Sequence, residues 1–87
     1  MKVGSFVECI DDKFSSEQLK LLSKIPKEGD YYTIREIIDY PNLGRTGVKL
    51  EEISNPLIEM NDGMGEPTFN IFRFRELEIP PPMELEI

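Results

Sequence analysis

Histidine is absent from the 87 residues of this chain, and cysteine occurs once, at Cys9. Without histidine the chain lacks the commonest general base and the commonest transition-metal ligand. A single cysteine forms no intramolecular disulfide, and without histidine it makes neither the usual zinc site nor a Cys–His pair. Because Cys9 lies in an apolar run, we interpret it as a buried side chain in a protein of a reducing compartment.

Long apolar runs are also missing, since no stretch approaches the ~20 residues that a transmembrane helix needs. The opening MKVGSFVECI is too short and too interrupted for the apolar region of a secretory signal. We therefore expect a cytoplasmic protein that does not contact a membrane. Basic residues are scarce as well, because ten Lys and Arg stand against 17 Asp and Glu, for a net charge of −7. This balance disfavours nucleic acid as a partner unless the basic side chains gather on one face.

The length corresponds to one small domain, in which a deep substrate cavity beside the hydrophobic core is not expected. We therefore predict that the protein is not an enzyme and takes no cofactor and no small-molecule substrate. The acidic residues Glu8, Asp11 and Asp12 carry oxygen ligands, but their spacing matches no known metal loop, so no metal ion is expected. We divide the chain into a folded domain, residues 1–79, and a proline-rich acidic tail, residues 80–87.

One six-residue pattern recurs at residues 32–37, 48–53 and 72–77: apolar, polar, apolar, polar, glutamate, apolar. Alternation of apolar and polar residues predicts β-strands with one buried face. Each copy loses its phase at the glutamate, because the last two apolar residues are three apart and cannot share a face of a regular strand. The predicted irregularities are bulges or sharp bends at or next to Glu36, Glu52 and Glu76.

A helix is predicted over residues 15–24, between the first and second strands. Ser15 is a good N-cap, and Gln18 three residues later completes a capping box. Pro26 disfavours helical geometry at the residue before it, so the helix must end earlier.

Together these elements predict a mainly β protein, a small five-stranded SH3-like barrel with this helix inserted and a short helical turn before the last strand. The turn is indicated by Phe69 and Phe72, three residues apart. We expect Phe72, Phe74 and Leu77 to point into the core. Residues 54–67 are predicted to be mostly loop, in which Leu57, Ile58 and Met60 form either a short fourth strand or an apolar flap. An OB-fold is the main competitor, but its helix would normally lie between the third and fourth strands.

Four short blocks also carry a resemblance: V-x-C-I-D-D from Val7, G-x-x-Y-T-[IV]-R-E-I from Gly29, G-V-x-L-E-E-I-x-N-P from Gly47 and F-x-x-x-R-F-R from Phe69. In order and spacing they resemble a group of small proteins encoded by bacteriophages, prophages and related mobile elements. That group is generally taken to consist of SH3-like barrels of uncharacterised function. The resemblance covers residues 7–77 and implies the fold and a phage-like setting, but no catalytic residue.

Two candidate binding surfaces follow from the sequence. Apolar residues without an obvious place in the core form a candidate protein-interaction surface: Tyr31, Tyr40, Leu43, Leu57, Ile58, Met60 and Met64. A cluster of exposed apolar side chains is typical of a site for a protein partner or for self-association. Three arginines form a candidate basic ridge: Arg35, Arg73 and Arg75. The carboxylates expected to neutralise this ridge are Glu36, Glu51 and Glu76.

We therefore expect a non-enzymatic protein-interaction module, related to phages or mobile elements, whose partner is an unidentified protein or a second copy of itself. Two alternatives stay open. One is an SH3-like module that binds nucleic acid through the basic ridge. The other is an acidic surface that mimics nucleic acid and inhibits a host protein.

Overall fold

A computed structural model describes residues 1–60 and 63–78, and the predicted tail at residues 80–87 lies outside them. The elements of the described part are β1 (Phe6–Cys9), α1 (Ser16–Leu21), β2 (Tyr31–Tyr40), β3 (Arg45–Leu50), β4 (Ile58–Met60), β5 (Gly63–Gly65), β6 (Phe69–Asn70) and β7 (Phe74–Glu76). Two 3-10 helices, Pro41–Leu43 and Ile71–Arg73, follow β2 and β6. No helix among these residues is long and apolar enough to cross a membrane.

Five strands form one antiparallel sheet in the order β6–β3–β2–β1–β7. Strands β4 and β5 pair with each other in a separate hairpin, inserted between β3 and β6. The short helix α1 lies between β1 and β2, as predicted. A mainly β fold with a five-stranded antiparallel sheet and one short helix is therefore confirmed.

The core is built from alternate residues of the central strands, which places them on one face of the sheet. Its buried members are Val7, Cys9, Tyr32, Ile34, Val48, Leu50, Ile53, Phe69 and Phe74. Three aromatic rings meet edge to face, since the ring centroid of Phe74 lies 6.4 Å from that of Tyr32 and 6.5 Å from that of Phe69. Phe69 belongs both to this core and to the lining of a surface cleft.

The first two predicted irregularities are present. The register of β2 against β3 shifts between Ile34 and Glu36, so Arg35 is an extra residue that the partner strand does not match. Because of this bulge, Ile34 is fully buried and Ile37 also packs against the core. The chain also bends at residues 51–52, directly after β3.

The third copy of the pattern does not form one strand. Residues 69–77 divide into β6, a 3-10 helix and β7, because the Asn70 side chain accepts a hydrogen bond of 2.9 Å from the N–H of Phe72 and caps the turn. Phe72 is consequently 79% exposed, which corrects its expected place in the core, whereas Phe74 is buried and Leu77 is half-buried outside the core cluster. Pairing of β7 with β1 is regular through Glu76, so the irregularity predicted there is wrong. The strand predicted near residues 57–60 is present as β4, but it pairs with β5 in the hairpin, and the fourth strand of the five-stranded sheet is β6.

Helix α1 begins with the predicted capping box but is shorter than the predicted residues 15–24. Leu22 already has extended backbone angles, φ −110° and ψ 116°. The side chain of Asn55 then binds the backbone of Lys24 twice, accepting from its N–H at 2.8 Å and donating to its carbonyl at 3.0 Å. These two bonds occupy the backbone groups that a longer helix would need.

Candidate functional site

A cleft of about 380 Å³ opens between α1, the 3-10 helix after β2, and β6. This volume lies in the range of pockets that hold ligands, about 300–1,000 Å³. Aromatic, aliphatic and basic side chains line it, among them Phe14, Leu21, Tyr40, Leu43, Arg45 and Arg73.

The wall on the helix side is held in place by Arg73. Its guanidinium carbon lies 3.9 Å from the ring centroid of Phe14, and that ring meets Phe69 edge to face at 6.0 Å. The same guanidinium donates to the carbonyl of Lys13 at 3.1 Å and to the carboxylate of Asp11 at 3.3 Å. Arg73 therefore fixes the segment before α1 to the 3-10 helix before β7, and its charge is partly neutralised.

The opposite wall is the turn between β2 and β3, whose ends place Tyr40 opposite Arg45. The 3-10 helix of this turn ends at Gly44, which has a left-handed φ of 64° that favours glycine. The turn leaves Leu43 61% exposed. The hydroxyl of Tyr40 lies 3.3 Å from the hydroxyl of Thr68, which joins this wall to the floor of the cleft.

The charge of the cleft is opposite to that of the whole chain. Its described lining contains Arg45 and Arg73 but no carboxylate, whereas the chain carries a net charge of −7. Within residues 1–60 and 63–78, Arg45 makes no ion pair. The cleft is therefore a concavity of mixed apolar and polar lining, which includes Gln18 and Asn70, with one arginine that is available to a partner.

The predicted interaction surface is only partly assembled in this cleft. Tyr40 and Leu43 line it, together with Phe14, Leu21 and Arg45, which were not assigned to that surface from the sequence. Their contribution depends on α1 lying beside the β2–β3 turn. No local pattern predicts that contact, because it joins segments that are about 20 residues apart.

The remaining predicted surface residues lie elsewhere. Leu57 precedes the β4–β5 hairpin and Met64 lies within it, at 61% and 64% exposure, and Ile58 is half-buried there. The side chain of Met60 lies outside the described part of the structure. Tyr31 is exposed at the start of β2, opposite Glu8 of β1. None of these described side chains lines the cleft.

Each arginine of the predicted basic ridge is bound to a carboxylate. Arg35 donates to both carboxylate oxygens of Glu66, at 2.9 and 2.8 Å, and Arg75 pairs with Glu8. Arg73 is held as described above. None of these partners is a carboxylate that we expected from the sequence, and the three arginines do not present an unpaired basic surface.

The bulge residue Arg35 also secures the end of β3. Its Nε donates to the carbonyl of Leu50 at 3.1 Å, and its partner Glu66 accepts from the N–H of Asn55 at 3.2 Å. Burial alone would raise the pKa of the Glu66 carboxyl, but the hydrogen bonds from Arg35 and Asn55 outweigh it and hold the pKa below its ordinary value of 4.5. The carboxylate form of Glu66 is therefore favoured by the fold.

Replacing Glu66 by glutamine is expected to lower the free energy of unfolding by about 1–3 kcal/mol near neutral pH, because Arg35 loses a half-buried ionic partner. Since the folded carboxyl has the lower pKa, its stabilisation is complete above pH ~4.5 and is lost as the pH falls through the folded pKa. Urea unfolding at several pH values would show the difference between the two proteins shrinking in acid. As a control, Glu36→Gln removes an exposed pair with Lys49 and should change stability by less than about 1 kcal/mol. A pH-independent difference for Glu66→Gln would contradict the charge-based explanation.

Cys9 is fully buried, with its sulfur 3.5 Å from the carbonyl of Asp11. Burial raises the pKa of this thiol, which disfavours the reactive thiolate. Over the described ranges, no group of three His, Cys, Asp or Glu side chains is arranged to hold a metal ion.

The cleft is the place at which a concave shape, exposed apolar side chains and an available arginine coincide. No protein family, no curated protein and no solved structure matches this chain.

Proposed function

We propose that this chain is an SH3-like barrel that acts as a non-enzymatic protein-interaction module and binds a segment of another protein in the cleft. The order of strand pairing supports the fold. Strands β1, β2, β3 and β6 are successive neighbours, and β7 returns to pair with β1 after a 3-10 helix. An SH3-like barrel has this connectivity, with the β4–β5 hairpin here inserted before its fourth strand.

The observation that carries the binding function is the exposure of apolar side chains on facing walls of a concavity. Leu21 and Leu43 are 54% and 61% exposed, and both line the cleft. Full burial of an exposed leucine contributes about 1.5–3 kcal/mol, and since both side chains are already partly buried, covering the remainder of both is worth about 2–3 kcal/mol before the entropy of association. Arg45 favours a partner segment that carries a carboxylate next to its apolar residues.

The nucleic-acid alternative loses support because its three arginines are each paired with a carboxylate. Little free positive charge is then left in the ridge to neutralise phosphates on an acidic chain. The phage-like setting is kept as part of the proposal because of the resemblance of the four sequence blocks. A cytoplasmic location is kept because the single buried Cys9 needs no oxidising compartment.

Replacing Leu43 by aspartate is expected to weaken binding of selected peptides by about tenfold or more, since a charge then lies on an apolar wall. The peptides would be selected from a random display library against the full-length chain, and their affinities measured by fluorescence anisotropy. We expect the selected sequences to combine apolar with acidic residues.

Leu57→Asp is the matched control, because Leu57 is as exposed as Leu43 but lies outside the cleft. It should change these affinities by less than about twofold. Equal losses for both variants, or a loss for Leu57→Asp alone, would place the binding surface outside the cleft.

A further inference from the structure

We infer that the cleft takes residues 79–87 of a second copy of this chain, so that the protein self-associates by exchange of these segments. This inference rests on the proposed binding function of the cleft and names its partner. Three features support this partner: the apolar and acidic residues of the segment, the positive charge of the cleft, and the direction in which β7 runs away from the cleft.

The segment has the chemistry that the cleft favours. Residues 79–87 read IPPPMELEI, in which three apolar residues alternate with Glu84 and Glu86. An extended chain with this alternation has one apolar side and one acidic side. The apolar side complements Leu21 and Leu43, and the acidic side complements Arg45.

Charge complementarity is specific to this place on the molecule. Two copies with a net charge of −7 each repel one another as whole molecules. The cleft is lined by arginines without carboxylates among its described residues, so an acidic segment is attracted there. Arg45 makes no ion pair in the described part of the chain and therefore forms one with Glu84 or Glu86 without breaking another.

The direction of β7 leads away from the cleft. Arg73 lines the cleft just before β7, and β7 then runs along β1 from Cys9 to Val7. The next residue, Leu77, continues in the same direction, since its N–H donates to the carbonyl of Phe6 at 2.9 Å. The chain therefore reaches residue 78 on the side of β1 that is remote from the cleft.

This geometry favours a second copy over the same copy. From Arg73 to Glu78 the chain advances about 16 Å, at ~3.3 Å per residue. To bring Glu84 of the same copy back over that distance, residues 79–84, at most about 20–22 Å long, would have to reverse direction directly after residue 78, and a run of three prolines disfavours such a reversal. A second copy can receive the segment without this reversal. Reciprocal exchange between two copies gives two identical contacts in a symmetric dimer.

Charge reversal in the full-length chain tests this inference. We expect the wild type to form a dimer whose population rises with concentration in sedimentation equilibrium. Arg45→Glu, and separately the pair Glu84→Lys and Glu86→Lys, should each raise the dimer dissociation constant about tenfold or more. An equimolar mixture of the two variants should recover dimers, because the reversed cleft then meets the reversed segment and the two unchanged partners also meet.

Two controls separate this result from general charge effects. Lys27→Glu adds the same negative charge as Arg45→Glu at an exposed residue that does not line the cleft. Glu17→Lys with Glu59→Lys matches the charge change of the segment variant at exposed residues of the described part. Both controls should leave the dissociation constant within about twofold of wild type, and circular dichroism would confirm that all variants are folded.

A synthetic peptide with the sequence IPPPMELEI gives the second measurement. It should bind the full-length segment variant, whose own segment no longer competes, and binding should fall about tenfold when Arg45→Glu is added. A monomeric wild type at all concentrations would overturn the inference, as would a dimer that the segment charges do not affect. A wild type that stays monomeric while the peptide binds the segment variant would instead show that each copy fills its own cleft. If library-selected peptides bind the cleft while IPPPMELEI does not, the inference fails and the proposed function stands.

Discussion

Replacing Ile34 by alanine is expected to lower the free energy of unfolding by about 2–5 kcal/mol, a large part of the ~5–15 kcal/mol that stabilises a domain of this kind. Ile34 is fully buried in β2 and lies opposite Leu50 of β3, which is also fully buried. Deleting its outer carbons therefore removes contacts at the centre of the core, and the surrounding strands are held by their hydrogen bonds and cannot collapse into the cavity. Urea unfolding followed by circular dichroism would measure the loss.

Ile10→Ala is a matched control for this change, because Ile10 loses the same atoms at a position that is 45% exposed. Its cost should stay below about 1 kcal/mol. Ile34→Val, which removes a single carbon, should cost about 0.5–1.5 kcal/mol. A loss for Ile34→Ala no larger than that for Ile10→Ala would mean that the core is centred elsewhere.

The position of Ile34 was predictable because it depends on a local property. Strand period fixes which residues share a face, and the spacing of Ile34 and Ile37 shows that a regular strand cannot bury both. The bulge at Arg35 resolves this conflict, as predicted. The contact that Arg35 makes from the bulge was not predictable, because its partner Glu66 lies 31 residues further along the chain.

The third copy of the pattern does not form one strand, and the reason is again a contact with a residue outside the pattern. Apolar and polar residues alternate in it in the same way as in the first two copies, yet Asn70 caps a 3-10 helix that places Phe72 in solvent. A single side-chain hydrogen bond thus overrides the strand pattern. The early end of α1 has the same kind of cause, because the bond between Asn55 and Lys24 joins residues 31 apart in the sequence.

The cleft could be predicted only in part. Tyr40 and Leu43, which had no place in the predicted core, both line the cleft. Leu57 and Met64 had the same property but belong to the separate hairpin region. An apolar residue left over from the core is therefore a weak indicator of a site. What selects among such residues is the tertiary arrangement, which places Leu21 and Arg45 beside Leu43.

Replacing Gly47 by alanine is expected to lower the free energy of unfolding by about 1–3 kcal/mol, through overpacking. Gly47 lies in β3 between Ile38 of β2 and Asn70 of β6. A β-carbon at this position would lie 2.7 Å from the Cβ of Thr68, closer than non-bonded carbon atoms approach, and at a tight 3.1 Å from the Cε2 of Tyr40. Thermal and urea unfolding of the full-length chain would measure the effect.

The double variant Gly47→Ala with Thr68→Gly identifies the cause of this loss. Thr68→Gly removes the Thr68 atoms that the new β-carbon meets. The loss in the free energy of unfolding of the double variant should therefore be smaller than the sum of the two single losses, by at least about 1 kcal/mol. Tyr40 and Thr68 both line the cleft, so Gly47→Ala alone should also weaken peptide binding there, and the double variant should recover part of it. Strictly additive effects on stability would show that the close approach of β3 to Thr68 is not the reason for glycine at this position.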